Sequence, residues 1–153
     1  MPDAQSRECE FLAESLQSVL EKMVFMITES LEDDELDDQV ENLLRAEMEF
    51  SGSLSGKVVL AAQSELCAEI AENMLGIDPD DVNQSSLEDA LREILNMACG
   101  QYLTSRWGED QVFDLTVPHV EEFNSEQWSE LAQEEKSMVI DAEGYQMVAA
   151  VYL

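Results

Sequence analysis

Between residues 10 and 30 apolar residues recur at spacings of three and four, at Phe11, Leu12, Leu16, Val19, Leu20, Met23, Val24 and Ile27. That spacing predicts a long amphipathic helix. Residues 31–44 follow as an acidic stretch with Asp33, Asp34, Glu35, Asp37 and Asp38, read as a solvated connection. The period then falls to two. Ala46, Met48 and Phe50 alternate with Glu47, Glu49 and Ser51, and beyond Gly52 and Gly56 the run Val58, Val59, Leu60, Ala61, Ala62 is wholly apolar. These predict a hairpin whose first strand has one wet face and whose second strand is more buried. A helix over 64–75 is expected to stop at Gly76, with Pro79 just beyond.

Ser85 and Ser86, each followed three residues later by an acid (Glu88, Asp89), suggest a capping-box start for a second long helix reaching about residue 105. Phe113, Leu115 and Val117 alternate with Asp114 and Thr116 as a strand closed by Pro118. Residues 121–136, with Phe123 and Trp128, read as a polar, acidic connection. Residues 137–141 and 145–153 read as strands joined across Glu143 and Gly144. Each half thus runs from a long helix to strands that include a hairpin. The order fits an α+β fold, a mainly antiparallel sheet with long helices packed on one face, better than parallel winding. Residues 1–153 read as one domain, with 1–9 a flexible N-terminal segment. The apolar run Val148 to Val151 is expected to be central in the sheet or covered by a dimer, because a bare edge would pair with another chain.

Charge narrows the partners. Of 153 residues, 35 are acidic and 7 basic, a net charge of -28 at pH 7. Nucleic acid and anionic membrane surfaces would be repelled, so both are excluded as expected partners. The first ten residues lack the basic start and apolar stretch of a secretory signal, and no apolar run approaches the ~20 residues needed to span a bilayer. Cys9, Cys67 and Cys99 form no CxxC pair and read as reduced thiols of a cytoplasmic protein. His119, the sole histidine, is too few for the usual zinc sites, and Asp78, Asp80 and Asp89 fit a calcium-loop frame that fails at Val82 and Asn83. No metal site is expected.

The second long helix carries the chemistry. Leu87, Ala90, Leu91, Ile94, Leu95, Ala98 and Tyr102 gather on one face, while Asp89, Glu93, Asn96 and Gly100 line the opposite face at i, i+4, i+7 and i+11. Polarity of a wet stripe explains the two acids but not Asn96 and Gly100, which cost about 0.5 and about 1 kcal/mol against good helix formers. Glu93 and Asn96 are neighbours on the helix and can address one object, and Gly100 leaves room for a second protein's backbone. A carboxylate can pair with a lysine, and a carboxamide can orient a water for attack on a phosphoryl group. The pair contains no nucleophile. Glu121 and Asn124 repeat the same spacing in an expected loop.

The run SSLEDALREILNMACGQYL, with Asp89, Glu93 and Asn96 spaced as D-x3-E-x2-N and Pro118 downstream, resembles the CheX/CheC/FliY family of chemotaxis phosphatases. The resemblance extends to FSGSLSGKVVLAAQSELCAEIAENMLG and FDLTVPHV. It implies dephosphorylation of a CheY-like response regulator, terminating a chemotaxis signal. Glu93 would pair with the receiver's lysine and Asn96 would orient the attacking water. Asp89 matches the first motif position, with helix capping its other reading, and Pro118 matches the motif's structural proline. The protein would need no cofactor of its own, since the Mg²⁺ belongs to the receiver. CheC-type members carry a second such pair on the first helix. Here that helix offers only Glu14 with Gln17 and Glu21 with Val24, so the single site resembles CheX, for which a homodimer joined through its sheets is implied. The alternative is a non-catalytic module of the same fold that docks a receiver or a flagellar-switch partner.

Overall fold

A computed structural model of the chain describes residues 4–31, 40–134 and 137–153. The elements run α1 (Ala4–Met23), β1 (Thr28–Ser30), β2 (Leu43–Ser51), β3 (Ser55–Gln63), α2 (Ser64–Leu75), a 3-10 turn (Pro79–Asp81), α3 (Gln84–Trp107), β4 (Asp114–Leu115), β5 (His119–Phe123), α4 (Ser125–Ala132), β6 (Ser137–Ala142) and β7 (Tyr145–Tyr152). The described strands form one seven-stranded sheet ordered β1-β6-β7-β3-β2-β4, with β5 also paired to β2. Every ladder is antiparallel. The expected α+β class is the observed one. Among the described residues no helix is long and apolar enough to cross a membrane.

Alternation along the strands sorts the apolar side chains into two layers. Leu44, Ala46, Met48 and Phe50 of β2, Val58, Leu60 and Ala62 of β3, and Met147, Ala149 and Val151 of β7 join the core beneath α1, α2 and α3. The other phase, Val59 and Ala61 of β3 with Val148 and Ala150 of β7, packs under α4 around the fully buried Trp128. This second cover explains why β3 and β7 read as continuous apolar runs. On β2 only Leu43 joins that layer; beyond it the face opens toward solvent, and Arg45 pairs there with Glu47 at 3.0 Å and with Glu121 at 3.6 Å. β7 lies between β6 and β3, so the first of the two expectations for Val148 to Val151 holds, and the strand needs no partner chain to cover it.

The two halves are related by more than a repeated order. After α1, β1 pairs with β6 of the second half; after α3, β4 and β5 pair with β2 of the first, and β3 and β7 meet in the middle. α1 and α3 run antiparallel, since Glu8 near the start of α1 meets Tyr102 and Arg106 near the end of α3.

Several boundaries differ from expectation. α1 starts at Ala4, so residues 4–9, expected as a flexible segment, fall within a helix, with Glu8 and Cys9 buried. It ends at Met23 instead of running to Ser30. Phe25 turns into the left-handed region at φ 61°, and the N–H of Met26 returns to the Leu20 carbonyl at 3.2 Å. α2 stops by the same geometry with Gly76 at φ 68° and Ile77 N–H on the Ala71 carbonyl at 3.3 Å. Ile27, expected on the buried face, is 80% exposed. Residues 32–39 of the acidic stretch lie outside the described residues, as do 135–136. The presumed connection 121–136 holds the end of β5 and all of α4, whose capping box joins Asn124 and Gln127.

Candidate functional site

α3 is held at its start by Asn83, whose side chain accepts from Ser86 N–H at 3.0 Å while Ser86 Oγ accepts from Asn83 N–H at 3.3 Å. The capping box therefore begins two residues before Ser85, and Asp89, inside the helix, does not cap it. Ala90, Leu91, Ile94, Leu95, Ala98, Cys99, Tyr102 and Leu103 are buried, as the wheel requires. Glu93 is exposed, and Asn96 and Gly100 are partly exposed on the same side.

Among the described residues neither Glu93 nor Asn96 has a side-chain hydrogen bond or ion pair, so the carboxylate and the carboxamide remain available to something outside the chain. This matters most for Asn96, because mid-helix Asn side chains commonly turn back onto their own backbone. Beyond the adjoining backbone of its own helix, a Cβ added at Gly100 would meet no atom within 4 Å. No packing within the chain calls for glycine there, which leaves its helix cost unexplained by the fold itself.

Asp89, exposed on the same stripe, is paired within the chain. Its Oδ1 accepts from Arg92 Nη1 at 2.9 Å, and Arg92 Nε donates to the carbonyl of Pro118 at 3.2 Å. The motif's acid and proline, distant in sequence, are thus joined by an arginine that spacing had not singled out. Its one sequence signal was rarity, as one of 7 basic residues, placed three after an acid on a helix.

The far end of α3 is fixed from within. Glu8 accepts from Tyr102 Oη at 2.5 Å and from Arg106 Nε at 3.0 and 3.1 Å, with a second bond from Arg106 Nη2. Burial raises the cost of charging Glu8, but the bonds from Arg106 and Tyr102 outweigh it and hold the carboxyl below its ordinary value. Burial, then the Glu8 bond, pushes the Tyr102 phenol up. Arg106 also lies over the Phe11 ring at 4.4 Å.

No cysteine serves the exposed stripe. Cys67 and Cys99 are free, buried thiols pushed up to about 12 by burial, which suits packing and not attack. His119 is exposed, with Glu121 at 3.8 Å, and Asp78 accepts from the N–H of Asp80 in the 3-10 turn. Glu121 and Asn124, the second pair with the same spacing, fall on β5 and on the α4 cap and do not share a helix face. Among the described residues no group of three or more His, Cys, Asp or Glu is placed to hold a metal ion.

Comparison with known proteins identifies the family and the fold. The family model described as chemotaxis phosphatase CheX matches residues 44–143. Among solved structures, the chain is similar to the chemotaxis protein CheX of Vibrio vulnificus (TM-score 0.73, 18% identity, 98% of each chain covered). It is also similar to CheX of Desulfovibrio desulfuricans (0.61, 16%, covering 95% of this chain and 97% of that one). A third is the CheX of a CheX–CheY–BeF3–Mg complex from Borrelia burgdorferi (0.61, 15%, 94% and 95%). No curated protein sequence matches. With more than half of its length matched by the family model and the same fold in these structures, the chain belongs to the CheX family of chemotaxis phosphatases.

Proposed function

We propose that this protein hydrolyses the phosphoaspartate of a CheY-like receiver domain in the cytoplasm, with Glu93 and Asn96 as the working pair. The observation that carries the reading is the free, outward-facing pair on α3, a carboxylate and a carboxamide one turn apart beside a glycine that nothing in the chain requires. The Borrelia burgdorferi relative was solved as a complex with CheY, BeF3 and Mg, which supports a receiver as the partner.

On docking, Glu93 pairs with the receiver's lysine and brings Asn96 against the phosphoryl group. Asn96 Oδ1 accepts from a water and sets it in line with the phosphorus. The bond from phosphorus to the water oxygen forms, the bond to the aspartyl oxygen breaks, and both water protons stay with the product, so aspartyl carboxylate and inorganic phosphate result. Mg²⁺ and the lysine, both the receiver's, neutralise the charge on the phosphoryl oxygens. The protein supplies position and a fixed dipole rather than a nucleophile. The test is decay of phosphorylated receiver with and without the protein: acceleration is expected, and an unchanged rate contradicts the reading.

The homodimer belongs to this proposal too. β7 is central, so the contact falls at an outer strand, and β1 is the candidate because Phe25 and Ile27 beside it are each 80% exposed. Sedimentation should give twice the chain mass for the wild type and the monomer mass for Ile27→Asp; a monomeric wild type removes the dimer from the account.

A further inference from the structure

Val117 is an apolar side chain left 82% exposed, yet the chain on both sides of it is fixed. Thr116 gives its N–H to the Glu49 carbonyl at 3.0 Å, and its Oγ1 accepts from Glu49 N–H at 2.9 Å, tying the approach to β2. His119 then enters β5 opposite Glu47. Between them Pro118 is buried, and its carbonyl takes the hydrogen bond from Arg92. A loop that served only as a connection would need neither an exposed valine nor three hydrogen bonds to hold it still.

The other end of the Arg92 fork lies on the candidate site. Arg92 Nη1 is bonded to Asp89, four residues before Glu93, so the bend carrying Val117 is tied directly to the α3 stripe. Resting on the receiver reading above, we propose that Arg92 is a positioning residue. It holds Val117 beside Glu93 and Asn96 as a second, apolar contact for the docked receiver. The continuity of the two surfaces through Arg92 argues for the occupant, because Arg92, one turn before Asn96 on α3, carries the hydrogen bond to the residue that follows Val117. Electrostatics favour the same occupant. In a chain of net charge -28, the Arg92 guanidinium offsets the carboxylate of Asp89 beside the place where an anionic phosphoryl group must arrive. The fork itself is required, since Nε and Nη1 serve two acceptors in fixed directions that a single lysine Nζ cannot reproduce.

The experiment compares wild type, Val117→Ser, Arg92→Lys and Arg92→Ala in two assays. One is titration of a CheY-like receiver loaded with beryllofluoride and Mg²⁺; the other is steady-state hydrolysis of the phosphorylated receiver. Val117→Ser and Arg92→Lys should each raise Kd and KM ~5-fold, the worth of one contact of this size, with kcat nearly unchanged. Arg92→Ala should do the same or more. A merely structural Arg92 would lower the amount of folded protein without this split, and Val117→Ser, at an exposed site, should leave thermal stability unchanged. Wild-type Kd and KM in Val117→Ser would overturn the contact, and a wild-type KM in Arg92→Lys would overturn the positioning role. Should these variants be silent while wild type still accelerates decay, this inference falls and the proposed function stands. If wild type fails to accelerate decay, both fall.

Discussion

Glu8 of α1 and Arg106 of α3 form a forked ion pair at the core's edge, with the Glu8 side chain 7% and the Arg106 side chain 31% exposed. Tyr102 completes the set by donating to the same carboxylate at 2.5 Å. Because the folded carboxyl is held below its ordinary value, its stabilisation is fully present above the unfolded range, ~4.3, and is lost as pH falls below that through the lower folded value. Glu8→Ala should therefore cost about 2–3 kcal/mol at pH 7, less than a fully buried pair because Arg106 keeps some water. The deficit should shrink at pH 3, and denaturant titrations at the two pH values measure both.

Gly100→Ala separates folding from docking. Beyond the adjoining backbone of its own helix, the new methyl meets nothing in the chain, so the helix gains about 1 kcal/mol of stability. The receiver should nonetheless bind more weakly, because the methyl occupies space that the partner's backbone uses. Thermal unfolding and receiver titration should move in opposite directions, and tighter or equal binding would show that the glycine has no part in docking.

How far the sequence spoke for this site depends on which contacts are local. Gly76 ended α2 at the expected residue, and Glu143 with Gly144, at φ 52° and 90°, made the expected two-residue hairpin turn. The stripe of Asp89, Glu93, Asn96 and Gly100 was likewise legible, since one helix period places all four. β5 was not, because only Val120 and Phe123 of its five residues are apolar and they lie on opposite faces, each sharing its face with an acid, so it reads like a loop until β2 supplies the partner. The end of α1 was hidden by Phe25 in a position where glycine is the usual signal. Arg92 was hidden for a stronger reason. Its acceptor is a backbone carbonyl 26 residues away, and a carbonyl leaves no mark in the sequence.

Glu93 is exposed and unpaired within the described chain, so Glu93→Ala should alter stability by no more than about 0.5 kcal/mol. Receiver affinity should fall about tenfold, the scale of losing one partly desolvated charge pair. Calorimetric titration with the activated receiver decides it. Unchanged affinity would remove the lysine pairing from the account.

Salt should act on the two properties with opposite sign. A net charge of -28 repels itself in the folded chain, and screening over ~10 Å at 0.1 M relieves that repulsion, so the melting temperature rises with added salt. Docking that draws on Glu93 and on the acidic surface weakens over the same range. Association insensitive to ionic strength would confine the charge to solubility.

Asn96 bears the central claim, that this protein works by placing a water. With receiver saturated by Asn96→Ala, the rate of phosphoaspartate decay should fall ~100-fold or more below the wild-type rate, toward that of the receiver alone. Affinity for the beryllofluoride-activated receiver should stay close to the wild-type value. Decay as fast as with wild type, measured at saturation, would contradict the account.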